Sequence, residues 1–276
     1  MGPKFALPKT VDESLAMNYI KYYTHDDYHG HGHHGHDHHG HGHRGHYRFI
    51  SPELDKILIF DKNENIAGMH SIFPVSSGAE NLSLFDYSKS GWYRRTSIDG
   101  VDYYMTTAYF MNPSEISTIG RTSEDVDSNG IVRQLYFQVG NHLLEAPMNL
   151  TSTGKNGWHF HVCFPTMGSH YDLWDPNDAK TISCDEIPPI RLIYHQEVLH
   201  DFQWVHVFNL TSVIPDGTTH QEWLEVNPWE PHSEAIAKMF LKPPPTCLMG
   251  EDGVIQNVGL NGQHVYFRDW KTISCP

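Results

Sequence analysis

The sequence predicts an all-β protein. It reads as two tandem, duplicated antiparallel β units, sandwich- or barrel-like, with a short N-terminal helix and a disordered His-rich segment. Three observations predict this. Aromatic residues make up 12% of the chain, and Gly 22 and Pro 17 supply turns throughout, a mix that suits many short strands. From Phe49 onward, strand-like apolar runs alternate with turn signals. Finally, five short motifs recur in the same order in the two halves of the chain.

The echoes set the expected boundaries. Leu58-Ile59-Phe60 returns as Leu192-Ile193-Tyr194, and His70-Ser71-Ile72-Phe73 returns in outline as His206-Val207-Phe208. Pro113-Ser114-Glu115-Ile116 is matched by Pro231-His232-Ser233-Glu234-Ala235-Ile236, and Asn156-Gly157-Trp158-His159-Phe160 by Asn261-Gly262-Gln263-His264-Val265. Lys180-Thr181-Ile182-Ser183-Cys184 and Lys271-Thr272-Ile273-Ser274-Cys275 close the halves. The expected divisions are an N-terminal arm over 1–24, a His/Gly-rich tract over 25–48, a first β repeat over 50–186 and a second over 187–276.

Thr10-Val11-Asp12-Glu13 fits a capping box, and Val11, Leu15, Tyr19 and Tyr22 recur at helical spacing. A short amphipathic helix is therefore expected over about 11–23. The tract that follows holds eleven histidines between His25 and His46. Its core carries His29, His31, His33, His34, His36, His38, His39, His41 and His43, spaced by glycines. Such a segment has no apolar face to bury, and it offers many imidazole nitrogens to Zn²⁺, Ni²⁺ or Cu²⁺ in interchangeable sets. Beyond it, Ile57 to Phe60 and Ile66 to Phe73 predict a hairpin. Val101 to Phe110 and Ile131 to Val139 predict strands, Asn112-Pro113-Ser114 a helix start, and Ser123 to Gly130 an acidic loop.

Composition narrows the function. Net charge is −14 with histidine neutral, which argues against a nucleic-acid partner. No apolar run is long enough to span a membrane. Met1-Gly2-Pro3-Lys4-Phe5-Ala6 lacks the apolar core of a signal peptide and reads as the start of a mature form, and Ala6 breaks the myristoylation pattern. The four cysteines, Cys163, Cys184, Cys247 and Cys275, are even in number and lack zinc-ribbon spacing. With three glycosylation sequons, at Asn81, Asn149 and Asn209, they predict a secreted protein with disulfides. The simplest pairing joins Cys163 to Cys184 and Cys247 to Cys275, although four cysteines allow three connectivities.

The central stretch Trp158-His159-Phe160-His161-Val162-Cys163-Phe164 reads as a strand. Strand alternation would place His159 and His161 on one face, and His170 returns after a Pro/Gly turn as a third nitrogen. Three protein ligands with a position left for water is the layout of a catalytic zinc site, while the plainer reading is two hydrogen-bonded strand histidines. His206 and His264 sit in apolar strands at echoing positions and join the expected ligands, whereas His195 and His200 flank a turn and are expected to be solvated. Asp172, Asp175, Glu197 and Asp201 could orient an imidazole or act as a general base. No phosphate-binding loop, nucleophile elbow, H-E-x-x-H or EF-hand loop is present. His159-Phe160-His161 resembles the zinc strand of α-type carbonic anhydrases, and the paired β halves resemble copper-dependent hydroxylases of the peptidylglycine type. Neither pattern continues through the flanking chain, so neither family is assigned.

The expected function is a secreted metal-binding protein, with zinc or copper at an ordered His site and further divalent ions on the tract. Two other readings share the same residues: a metalloenzyme with a small-molecule substrate, for hydration, hydrolysis or oxidation, and a metal-cross-linked matrix protein.

Overall fold

The computed structural model describes residues 7–22, 47–77, 85–152, 156–165, 167–207, 229–231, 244–249, 259–267 and 275. Residues 25–46 of the histidine tract, Asn81 and Asn209 lie outside these residues, whereas Tyr47 and Arg48, expected at the tract's end, are strand. The fold is all-β, in two antiparallel sheets. The first has eight strands: β1 Ile20–Tyr22, β2 Tyr47–Ile50, β3 Lys56–Phe60, β4 Ile66–Pro74, β5 Arg94–Ile98, β6 Val101–Tyr109, β7 Tyr136–Val139 and β8 His142–Glu145. Their order is β1-β2-β3-β4-β6-β7-β8, with β5 paired to β6. The second comprises β9 His159–Phe164, β10 Gly168–Asp172, β11 Ile190–His195, β12 Val198–Val207, β13 Trp229–Pro231 and β14 Leu260–Tyr266, in the order β13-β14-β12-β11-β10-β9. No helix among the described residues is long and apolar enough to cross a membrane.

The chain forms two compact units: residues 8–70 with 108–136, and residues 71–107 with 137–276. The boundary at 186/187 suggested by the echoes falls inside the second of these. The smaller unit is organised around the β3–β4 hairpin. Ile59, Ala67, Met111 and Ile116 are buried against one another. Asp61 stabilises the turn, accepting hydrogen bonds from the backbone N–H groups of Asn63 at 2.8 Å, Asn65 at 3.1 Å and Arg121 at 2.5 Å. Gly68 is required for close approach, since a Cβ there would lie 2.6 Å from the Ala108 carbonyl oxygen.

The N-terminal helix is shorter than expected. α1 spans Val11–Ala16, capped by the Thr10 side chain, and the chain turns at Asn18, φ 62°. Residues 20–22 then pair with β2 instead of continuing the helix. The buried residues are Ser14 and Tyr19, while Leu15 is 54% exposed, so pairing with the sheet overrides the helical period. The acidic stretch expected as a loop is α2, Ser123–Asn129, started by the Thr122 side chain on Asp125 N–H and by acidic residues in its first turn. The helix start at Asn112 is a single 3₁₀ turn, Pro113–Glu115. The strand expected over 131–139 is confined to β7.

In the larger unit the second sheet presents two different faces. Residues paired across antiparallel strands point to the same side. The register therefore sets Asp172, Arg191, Gln203 and His264 in one row across β10, β11, β12 and β14. His170, Ile193, Asp201 and Tyr266 form the adjacent row on the same side. Phe202, Trp204 and His206 alternate with these along β12 and point the other way, where Phe137 lies edge-on to Phe202 and Trp204 at 5.3 and 5.4 Å. The polar face is concave. Strands β10 and β14 are three strand spacings apart, about 14 Å in a flat sheet, yet the His170 and His264 rings are 6.5 Å apart.

All four cysteines form disulfides, but in a different pairing from that expected. Cys163 is bonded to Cys275 and Cys184 to Cys247, with Cα–Cα distances of 5.8 and 5.6 Å. The reason is topological: Cys163 lies on edge strand β9 and Cys184 in a 3₁₀ turn beyond β10, so closeness in sequence is not closeness in space. Separations of 112 and 63 residues make both bridges long-range. Closing loops of this length restricts the unfolded chain. We expect Cys163→Ser to lose about 2–5 kcal/mol of stability in urea unfolding, and peptide mapping to recover the 163–275 and 184–247 links.

Candidate functional site

The rows of polar side chains on the concave face form the candidate site. Asp172, Arg191, His170, Asp201 and Gln203 are all buried, and the His264 side chain is 9% exposed. Buried charges need partners, and each is supplied by a neighbouring strand. Arg191 Nε donates to Asp172 Oδ1 at 2.7 Å. Asp201 Oδ2 lies 2.8 Å from His264 Nδ1, and its Oδ1 accepts from the Val265 backbone N–H at 3.3 Å. His170 Nδ1 lies 3.0 Å from the Gly168 carbonyl oxygen.

These partners fix two tautomers. A carbonyl oxygen and a carboxylate accept only, so Nδ1 of both His170 and His264 carries the proton. In each neutral ring the lone pair is then on Nε2, the arrangement in which an outer oxygen orients a ligating histidine. His264 Nε2 is buried and has no hydrogen-bond partner among the described residues.

The five expected ligands do not meet at one centre. Among the described residues no three His, Cys, Asp or Glu side chains gather as a metal-ligand group. His159 is half-buried and pairs with Asp172 on edge strand β9. His161 breaks the strand alternation: Val162 pairs with His170 and Phe160 with Tyr171, so His161 is the extra residue of a bulge. Its ring packs on Trp174 at 5.1 Å, and its Nε2 stands 3.6 Å from Asp172 Oδ2. His170 and His264 do come together, their rings nearly perpendicular.

His206 is on the opposite face and is fully engaged. Ser71 donates its hydroxyl to Gln263 Oε1 at 2.8 Å, so the Ser71 oxygen accepts from His206 Nε2 at 3.3 Å. Nδ1 then accepts from the Tyr93 hydroxyl at 3.0 Å. Both ring nitrogens are used in a chain of neutral hydrogen bonds, and no lone pair is left for a metal. Burial lowers the His206 pKa to about 3.

Arg191 and Gln203 were missed in the sequence, although Ile190-Arg191-Leu192-Ile193 carries a lone charge in an apolar run, and Asp201-Phe202-Gln203-Trp204 alternates polar with apolar. Asp172 and Asp201 both stand beside a histidine, as orienting carboxylates would. Asp175 instead accepts from Asn177, and the Glu197 carbonyl from the Leu150 N–H. His200, expected in solvent, is buried, because β11 and β12 turn tightly at Gln196 and Glu197, both with positive φ. No protein-family model, curated protein or solved structure matches this chain.

The pKa of His206 has a consequence for stability. Its folded value lies below the unfolded value of about 6.5, so the unfolded chain binds the extra proton. The contribution is present above about pH 6.5 and is lost as pH falls toward 3, at up to about 1.4 kcal/mol per pH unit. His206→Gln should remove that slope, as measured by urea unfolding of both proteins between pH 7 and 4.

Proposed function

We propose that this chain is a secreted protein that binds divalent metal ions at two kinds of site: the histidine tract over 25–48 and an ordered pair formed by His170 and His264. One observation carries the ordered site. Both imidazoles have Nδ1 tied to an oxygen acceptor, His170 to Gly168 and His264 to Asp201, which puts the lone pair of each neutral ring on Nε2. The ordered site is thus centred on β10 and β14 rather than on His159 and His161.

Several features support this reading. Imidazole suits zinc and copper, and the divalent affinity order places copper above zinc at such a site. With two protein ligands, an ion keeps positions for water or a small molecule, which is the chemical requirement of the metalloenzyme reading. Two disulfides support an oxidising compartment. Asn149, the acceptor of one sequon, is exposed, as glycosylation requires. The tract supports loading or sequestration, because interchangeable ligand sets bind readily without fixed geometry.

Equilibrium dialysis tests this. The full chain should take up several Cu²⁺ or Zn²⁺ ions, and a variant lacking residues 25–46 should retain about one, with Cu²⁺ displacing Zn²⁺. In that variant His264→Gln should abolish the retained ion, and Asp201→Asn should weaken it by about 10–100-fold. Binding should weaken as pH falls, because an imidazole ligates only in its neutral form. A tract-deleted protein that folds but holds no ion would remove the ordered site.

A further inference from the structure

Next to the buried polar rows, the larger unit contains a cavity of ≈ 580 Å³, open mouth included. Its wall is mostly apolar and aromatic, with Tyr93, Trp174, Pro189, Leu248 and Leu260 among the lining residues. Asp172 and Arg191 are the charged groups that reach it. We infer that this cavity binds a neutral, ring-bearing hydrophobic molecule through one hydrogen-bond donor, a hydroxyl or N–H, placed on Asp172 Oδ2. The site is separate from the proposed metal pair and does not depend on it.

The argument rests on what Asp172 lacks. Its Oδ1 accepts from Arg191 Nε at 2.7 Å. Its Oδ2 is buried and accepts no hydrogen bond among the described residues, and His161 Nε2 stands 3.6 Å away, beyond hydrogen-bond length. An unsatisfied carboxylate oxygen is costly inside a protein, and a ligand donor would relieve that cost. Charge selects the class of donor. Arg191 already neutralises Asp172, so a cation would leave the cavity net positive and an anion would set a second negative charge beside Asp172. In a site walled by apolar groups both are penalised, and a neutral donor is not. Water could supply a donor, but the apolar walls give it few further partners. A hydrophobic ring fills that space, and its donor reaches the carboxylate.

The test is calorimetric titration of the full chain, with EDTA present so that bound metal plays no part. The probes are 2-naphthol and 2-methoxynaphthalene, which differ in having and lacking the donor. We expect 2-naphthol to bind at one site, and 2-methoxynaphthalene at least about tenfold more weakly, the loss of one hydrogen bond to a charged acceptor. Val205→Phe fills the cavity from β12 and leaves Asp172 and Arg191 in place. It should abolish 2-naphthol binding with the circular dichroism spectrum unchanged. Leu248→Trp narrows the cavity from a different segment and should do the same if the first variant misfolds. No binding of 2-naphthol, equal affinity for the two probes, or full binding by a folded cavity-filling variant would each overturn the proposal.

Discussion

Each charged group buried by the second sheet must find its partner on an adjacent strand, and that requirement holds the sheet in register. Asp172 on β10 needs Arg191 on β11, and Asp201 on β12 needs His264 and the Val265 N–H on β14. Slipping a strand by one residue would move its polar set to the opposite face. There Phe202 and Trp204 pack against Phe137, in a space that takes no charge. The bulges in β9–β10 and β11–β12 adjust the pairing on either side of these rows. A polar pairing pattern thus does in this sheet what alternating apolar packing does in others. It also places imidazoles and carboxylates where chemistry can use them.

The faces of β12 show why residue type alone does not assign a site. His206 and His264 both lie on strands of one sheet, and both occupy echoing positions in the sequence. His206 is enclosed by Phe73, Tyr93, Trp204 and Trp229, with both nitrogens in neutral hydrogen bonds. Burial there favours the uncharged ring and leaves it nothing to give a metal. His264 is held at one nitrogen by a carboxylate, which fixes its tautomer and turns the other nitrogen inward. The difference is made by the partners, Tyr93 and Ser71 for one histidine and Asp201 for the other.

Those partners are distant in sequence, and this sets what could be read from it. The strand content, the β3–β4 hairpin and the His159 strand were legible because alternation and turn residues are local. The four cysteines were legible as disulfides, even in number and without metal-site spacing. Disulfide pairing was not, because it depends on where β9 and the chain end meet, a long-range fact. The helix ended early because residues 20–22 have a better partner in β2 than in their own next turn. His159 and His161 looked like a pair by a two-residue period, and one bulge residue was enough to break it. Asp201 and Asp172 were visible only as carboxylates near histidines, since the strands that give them roles, β14 and β11, were not yet placed beside them. The echoing segments Leu58-Ile59-Phe60 and Leu192-Ile193-Tyr194 do occupy comparable elements, β3 and β11, each leading by a tight turn into a long, mostly buried strand.

A buried ion pair such as Asp172–Arg191 is weak evidence for stability, because desolvation offsets most of its Coulomb energy. An apolar pair of the same volume would serve packing as well or better. Its position therefore calls for another account, and position is what distinguishes it. Arg191 and Asp172 reach a cavity walled by Tyr93, Trp174 and Leu260, whereas the Lys56–Asp55 pair of the smaller unit is closed by Tyr19 and Ser51. At Asp55 the carboxylate is used by its own neighbours along the chain; at Asp172 one oxygen is held back. The Arg191 guanidinium orients that carboxylate through Oδ1. On the same concave face, Asp201 does for His264 what Arg191 does for Asp172. In each case one charged group is consumed in aiming another, and a sheet that needed only to fold would have no use for either arrangement.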